Sequence, residues 1–131
     1  MKKVKVISLI CLSLLFCISC KNNKENTRNM PGSDKDKHGC IASAGYTWSE
    51  VKKDCIRIFE SGVKLSNNSN YACYAVFSND SSQVELFIPE MESHPILRKN
   101  GQVWKDKKYE LLKNASDKFE LKENNKLIYN E

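Results

Sequence analysis

YACYAVFSNDSSQVELFIP, residues 71–89, is the stretch whose reading decides the fold. Its first part, YACYAVFS, is aromatic or apolar on both faces, which suits a central strand covered on both sides. SNDSS then supplies a run of turn formers. QVELFIP alternates, placing Val84, Leu86 and Ile88 on one face. Two such runs joined by a polar turn read as a β-hairpin.

The same pattern continues toward the C-terminus. PILRKNGQVWK (95–105) sets Asn100-Gly101 between two strand-like runs, and both residues tolerate the positive φ of a type I′ turn. KYELLK (108–113) and KFELKE (118–123) follow, joined by NASD, and ENNKLIYN (123–130) turns through Asn124-Asn125. Upstream, IRIFESGVKL (56–65) sets Ile56 and Ile58 against Arg57, with Gly62 interrupting the run. The expected fold is mainly β with a little helix (α+β), a small antiparallel meander or barrel of about six to eight strands.

The helix is expected in GCIASAGYTWSEVKKDC, residues 39–55. Thr47 and Glu50 have the spacing of a capping box. Trp48, Val51 and Cys55 fall on one face of a helical turn, with Lys52, Lys53 and Asp54 turned to solvent. A two-turn helix is marginal in water by itself, so it needs an apolar partner and a covalent constraint. Cys40 and Cys55 supply the constraint as a disulfide, which a turn at Gly45 lets them reach. A closed loop of about 15 residues is worth about 3 kcal/mol in the chain-entropy model. Pairing of Cys73 with either of them is the competing connectivity. Unpaired, Cys73 reads as a buried small hydrophobe in the most apolar strand.

The first residues place the chain in a compartment. MKKVKVISLICLSLLFCISC carries a basic start and then an uncharged, mostly apolar run from Val6 to Ser19. That run falls short of the roughly 20 residues a membrane span needs. It reads as a signal peptide, residues 1–19. Ser19-Cys20 resembles the lipobox of bacterial lipoproteins, in which a small residue precedes the cysteine that receives the lipid. Cys17 stands where that family most often has Leu. The resemblance implies processing before Cys20 and lipidation of Cys20 with fatty acyl groups such as palmitate. Residues 20–37 then form a polar spacer with too little apolar content to offset ordering. KNNKEN lacks the acidic surface-export signal that some Bacteroidetes lipoproteins carry after the lipid cysteine. Residues 38–131 form one domain. Export also implies an oxidising compartment in which a disulfide persists. Processing would remove Lys2, Lys3 and Lys5 and lower the formal charge from +5 to +2, so the basicity argues for no nucleic-acid partner.

Enzyme chemistry has little support in the sequence. His38 and His94 sit in no catalytic motif beside a cysteine. Zinc would have to combine Cys40, Cys55, Cys73 and a histidine without C-x-x-C or H-x-x-x-H spacing, so no metal or other cofactor is implied. No Gly-rich phosphate loop is present. Glu85, Glu90 and Glu92 form no evident acid–base pair and are expected to be solvated. Binding is better supported: Tyr46, Trp48 and Arg57 belong to the residue types that dominate hot spots. Trp48 and Trp104 are expected to fill the core, and Tyr46 to be exposed. The layout resembles the small periplasmic β-barrel lipoproteins, among them the membrane-bound inhibitors of c-type lysozyme. Their Ser-Gly motif followed by Tyr has no counterpart after Cys73. The resulting expectation is a non-enzymatic cell-envelope lipoprotein, tethered to the outer membrane through its lipid, that binds an envelope protein or glycan. The alternative is a periplasmic inhibitor or immunity protein acting on a hydrolase such as lysozyme.

Overall fold

The computed structural model describes residues 34–131. The leader, the lipidation position Cys20 and most of the spacer lie outside the described residues. Among the described residues, no helix is long and apolar enough to cross a membrane.

The fold is a mainly β meander with a disulfide-stapled hairpin in front of it. The hairpin pairs β1 (Thr47–Ser49) with β2 (Asp54–Ile56). A single helical turn, α1 (Ile58–Ser61), leads into an eight-stranded antiparallel sheet. Its strands run β3 (Val63–Leu65), β4 (Cys73–Phe77), β5 (Gln83–Phe87) and β6 (Ile96–Asn100). They continue with β7 (Val103–Lys105), β8 (Tyr109–Lys113), β9 (Phe119–Glu123) and β10 (Lys126–Asn130). Every strand pairs with the next. The sheet curls until its first and last strands meet. Ser66 and Asn130 exchange both backbone hydrogen bonds, at 2.7 and 2.8 Å, and bring the barrel close to closure. A bulge between Leu127 and Tyr129 bends β10 into that approach.

Alternation explains the interior. Leu65, Cys73, Ala75, Val84, Leu86, Leu97, Leu111 and Leu121 are fully buried and pack together with Trp104 and Tyr109. One end is plugged by Phe77, Trp104 and Phe119, whose ring centroids lie 5.0–6.0 Å apart. The Trp104 indole N–H donates to the Ser81 carbonyl at 2.8 Å, so the large ring is buried with its polar atom satisfied.

The turns follow their residues, with one shift. Asn124 and Asn125 both take positive φ, as a type I′ turn requires. In the β6–β7 hairpin Asn100 instead pairs with Val103, and only Gly101 has positive φ. The turn is therefore Gly101-Gln102, with Gly in the first central position as in type II′. Between β4 and β5 the Asp80 carboxylate accepts the Ser78 hydroxyl and both the N–H and hydroxyl of Ser82. These bonds, the Ser78 hydroxyl first, hold its carboxyl down to about 2.

Three expectations are corrected. Residues 47–55 form no helix: Thr47 opens a strand, Trp48 pairs with Cys55, and Lys53 takes a positive φ in the turn. A helix of that length has little intrinsic stability, and tertiary bonds to Ser49 override its pattern. Residues 56–65 are not one strand, because α1 interrupts them. Its last turn abuts β4 so closely that a Cβ at Gly62 would lie 3.1 Å from Val76 Cγ2 and 3.0 Å from the Ile58 carbonyl. Finally, Glu85 is not solvated but 1% exposed.

Asp34, Lys35 and Asp36, assigned to the spacer, make contacts with the domain, Lys35 through a bridge to Ile41. Asp34 accepts from the Ser43 hydroxyl at 2.9 Å, and Asp36 accepts the backbone N–H groups of His38 and Cys40 at 2.8 and 2.9 Å.

Candidate functional site

The predicted binding residues lie on the stapled segment, which rides on the outer face of β4 and β5. That face would otherwise expose Val76 and Glu85, both buried here, while Phe87 on the same face is packed by His94. The burial explains why YACYAVFS is apolar on both faces: one side lines the barrel and the other lies beneath the knob.

Two links hold the knob. The first is covalent: Cys40 and Cys55 are bonded, with Cα atoms 5.4 Å apart. The second is polar. Ser49 and Glu85 are both buried, and the Ser49 hydroxyl donates to Glu85 Oε2 at 2.7 Å. The Val51 N–H approaches the same oxygen at 3.4 Å. His94 Nδ1 lies 3.7 Å from Glu85 Oε1, while its ring packs on Phe87 at 4.1 Å. The serine therefore donates to the carboxylate and not to the imidazole. A Ser–His–Asp triad needs the imidazole between the other two groups to take the serine proton. This constellation works as a clasp between hairpin and barrel.

The knob's outer surface brings two of the three predicted residues together. Gly45, at φ 79°, ends a 3-10 turn over Ala42–Ala44 and reverses the chain into β1. That reversal places Tyr46 beside Arg57, just beyond β2. The Arg57 guanidinium carbon stands 4.8 Å from the centroid of the Tyr46 ring, a cation–π contact. Its Nε donates to the Ala44 carbonyl at 3.3 Å and its Nη1 pairs with Glu60 at 3.3 Å. Tyr46 is 37% exposed. Phe59, on α1, is 58% exposed, and its ring edge lies 3.9 Å from where a Gly45 Cβ would stand. Tyr46, Arg57 and Phe59 thus form one aromatic and cationic surface.

Trp48 does not join them. It is half-buried and stacks face to face on His38, with centroids 4.2 Å apart and planes 4° from parallel. Its indole Nε1 is buried without a hydrogen-bond partner. The bond from the Cys40 N–H, the largest influence, holds the Asp36 carboxyl below its ordinary range and fixes the segment that carries His38.

Phe59 was not legible as a surface residue, because the 56–65 run reads as a strand. The clasp did leave a signal: Glu85 is a lone carboxylate among Val84, Leu86 and Phe87, in a strand whose two faces are apolar. Cys73 is a free thiol inside the barrel, and burial pushes it up to about 12, away from thiolate reactivity. Among the described residues no group of three His, Cys, Asp or Glu side chains is placed to hold a metal ion. No protein-family model, curated protein or solved structure matches the chain.

Proposed function

We propose that the protein is a cell-envelope lipoprotein, anchored through Cys20, whose β domain binds an envelope protein without catalysis. The observation that carries the reading is the Tyr46–Arg57–Phe59 surface on a knob held by a disulfide and a buried clasp. Rigid aromatic and Arg side chains lose little entropy on binding and are the residue types that dominate hot spots. The disulfide agrees with an exported chain, since such bonds persist in oxidising compartments.

Anchoring and binding are tested separately. Mass spectrometry of the mature N-terminal peptide should find a lipidated Cys20, and Cys20→Ala should release the protein from the membrane fraction. An unmodified N-terminus elsewhere, or unchanged membrane association of the variant, refutes the anchor. For binding, the lipid-free chain beginning at Lys21 is used to capture partners from envelope extract, beside Tyr46→Ala and Phe59→Ala. A partner held by the parent and lost by both variants, with their melting unchanged, supports the surface. Retention by both refutes it.

Inhibition of an envelope hydrolase is a second reading, supported by the nearly closed barrel that the resemblance to lysozyme inhibitors implied. A stoichiometric hydrolase partner whose activity falls on binding would select it.

A further inference from the structure

Formal charge is divided unevenly along the chain. Residues 34–94 carry six Lys and Arg against nine Asp and Glu, and residues 95–131 carry nine against six. Because every strand pairs with the next, that division in sequence becomes a division in space. The part from the knob through β5 holds a net −3, and the part from β6 through β10 holds a net +3. In a nearly closed barrel of eight strands, the wall centred on β8 and β9 stands across from β4 and β5, the strands beneath the knob.

Register sets which side chains face out on that wall. Leu97, Trp104, Leu111 and Leu121 are buried in the barrel, so their chain neighbours Arg98, Lys105, Glu110 and Lys122 point outward. These four form one row, each opposite the next, and Leu127 of β10 ends it opposite Lys122. Arg98 and Lys105 are thus like charges directly across from one another, an arrangement that weakens strand pairing. Lys107 and Lys126 stand at the adjoining edge, where the Asn124 N–H of the β9–β10 turn donates to the Lys108 carbonyl of the β7–β8 turn at 2.9 Å. Arg98, Lys105, Lys107 and Lys126 are exposed, and none forms an ion pair among the described residues. The nearby acids are engaged elsewhere. Glu123 holds Lys108 at 2.6 Å, and Asp106 Oδ1 accepts the N–H groups of Lys108 and Tyr109 at 2.7 and 2.6 Å. Glu110 alone interrupts the basic row, and Leu127 at its end is 48% exposed.

Charge and the reach of the chain select the same occupant. Unpaired ammonium and guanidinium groups beside an exposed leucine suit an anionic surface with apolar matter just beneath it, which is the make-up of a lipid headgroup layer. Long Lys and Arg side chains lay their apolar stems along such a layer while their charges stay among its phosphates. Fourteen peptide steps separate Cys20 from Asp34, which sits with the knob through Ser43. That length reaches at most about 50 Å. A domain of this size is roughly 35 Å across, so a lipid on Cys20 keeps every side of it within contact of the membrane. The wall can therefore turn toward the membrane although the tether enters at the knob. A tethered surface meets its ligand at high local concentration, so a weak attraction suffices to orient it.

We propose that the wall formed by Arg98, Lys105, Lys107, Lys126 and Leu127 docks on the anionic lipid headgroups of the anchoring membrane and so turns the knob outward. The Tyr46–Arg57–Phe59 surface then faces away from the membrane, open to its partner. This orientation rests on the proposed anchoring through Cys20.

The test uses the lipid-free chain beginning at Lys21, which contains every described residue. It is floated at low ionic strength with vesicles of equimolar phosphatidylglycerol and phosphatidylcholine, beside vesicles of phosphatidylcholine alone. Binding to the anionic vesicles only is expected. Added salt should weaken it, because the Debye length shrinks from about 10 Å at 0.1 M to about 3 Å at 1 M. Lys105→Gln, Lys107→Gln and Lys126→Gln should each lower the partition coefficient about fivefold, and together about a hundredfold. Lys37→Gln, Lys52→Gln and Lys64→Gln combined make the same charge change in the other half and should leave partition close to the parent's. Equal melting excludes a folding defect, and the single variants carry the test if the triple one melts early. An environment-sensitive dye on Leu127→Cys should shift to the blue on anionic vesicles, and the same dye on Phe59→Cys should not; Cys73 is buried and stays unlabelled. No preference for anionic vesicles overturns the proposal. So does an equal loss in the control triple, a shift at position 59 in place of 127, or capture by polyaspartate with no shift at 127 on vesicles. Vesicle binding with Cys20 found unmodified in the natural chain refutes the anchor and leaves the wall's affinity standing, whereas a lipidated Cys20 with no vesicle binding refutes the wall.

Discussion

The clasp between Ser49 and Glu85 gives the sharpest test of how the knob is held. Glu85→Leu keeps side-chain volume and removes the acceptor. The Ser49 hydroxyl, fully buried, then loses its 2.7 Å bond to a carboxylate. A buried polar group stranded in this way costs about 1–3 kcal/mol. The Val51 N–H also loses its longer contact, but Val51 is half-buried and water can compensate. The expected loss is about 2–3 kcal/mol, or a fall of about 8–24 °C in Tm for a domain of this size. Ser49→Ala makes the reverse cut. It leaves the carboxylate buried with one donor fewer, at about 1.5–3 kcal/mol. The double variant replaces both ends with apolar atoms, which approaches neutrality apart from the half-buried Lys52 N–H, which loses its 3.2 Å bond to the Ser49 hydroxyl. Its stability should return to within about 1 kcal/mol of the parent, a coupling of at least about 2 kcal/mol between the sites. Urea unfolding followed by Trp fluorescence, with the disulfide intact, measures all four proteins. Additive losses in the double variant would refute the clasp. So would single variants within about 0.5 kcal/mol of the parent, the range of ordinary surface changes.

Cys55→Ala removes the staple and should cost about 2–5 kcal/mol; a variant that melts like the parent would overturn a stabilising role for the bond. Trp104→Ala empties the aromatic plug and should cost about 3–5 kcal/mol, whereas Trp48→Ala, at a half-buried ring stacked on His38, should cost about half as much; equal losses in denaturant unfolding would contradict that burial order. Asp80 gives a pH signature. Its folded carboxyl is depressed from 3.8 to about 2, so the stabilisation is full above the unfolded value and is lost as pH falls through that window. Asp80→Asn should therefore melt below the parent at neutral pH and alongside it once the pH is below about 2, and parallel curves throughout would refute the assignment.

Much of the barrel was legible from residues alone because strand pairing here is sequential. Each apolar alternation, as at Val84 and Leu86 or Tyr109 and Leu111, fixes which side faces inward. Each cluster such as SNDSS or Asn124-Asn125 reverses the chain into its neighbour. The Cys40–Cys55 pairing was legible for the same kind of reason, since short loop length and an implied oxidising compartment constrain it locally. The exposed Tyr46 followed from its place after Gly45. What lay beyond the sequence were contacts between residues far apart in the chain. A period-3.6 reading of residues 47–55 competes with a period-2 reading over so few residues that neither wins on local propensity. The hairpin prevails in a structure where Ser49 reaches Glu85, 36 residues later. The same burial converts Glu85 from an expected surface charge into an internal anchor. The turn at α1 breaks a run that reads as a strand, and so turns Phe59 outward beside Tyr46 and Arg57. The pocket lined by Asn67, Tyr109 and Lys126 is still more remote from local pattern, because these residues share no periodicity. Tyr109 and Lys126 both register with Glu123 through sequential pairing, but Asn67 reaches them only because the sheet curls until Ser66 meets Asn130, and curvature summed over eight strands is written in no single segment.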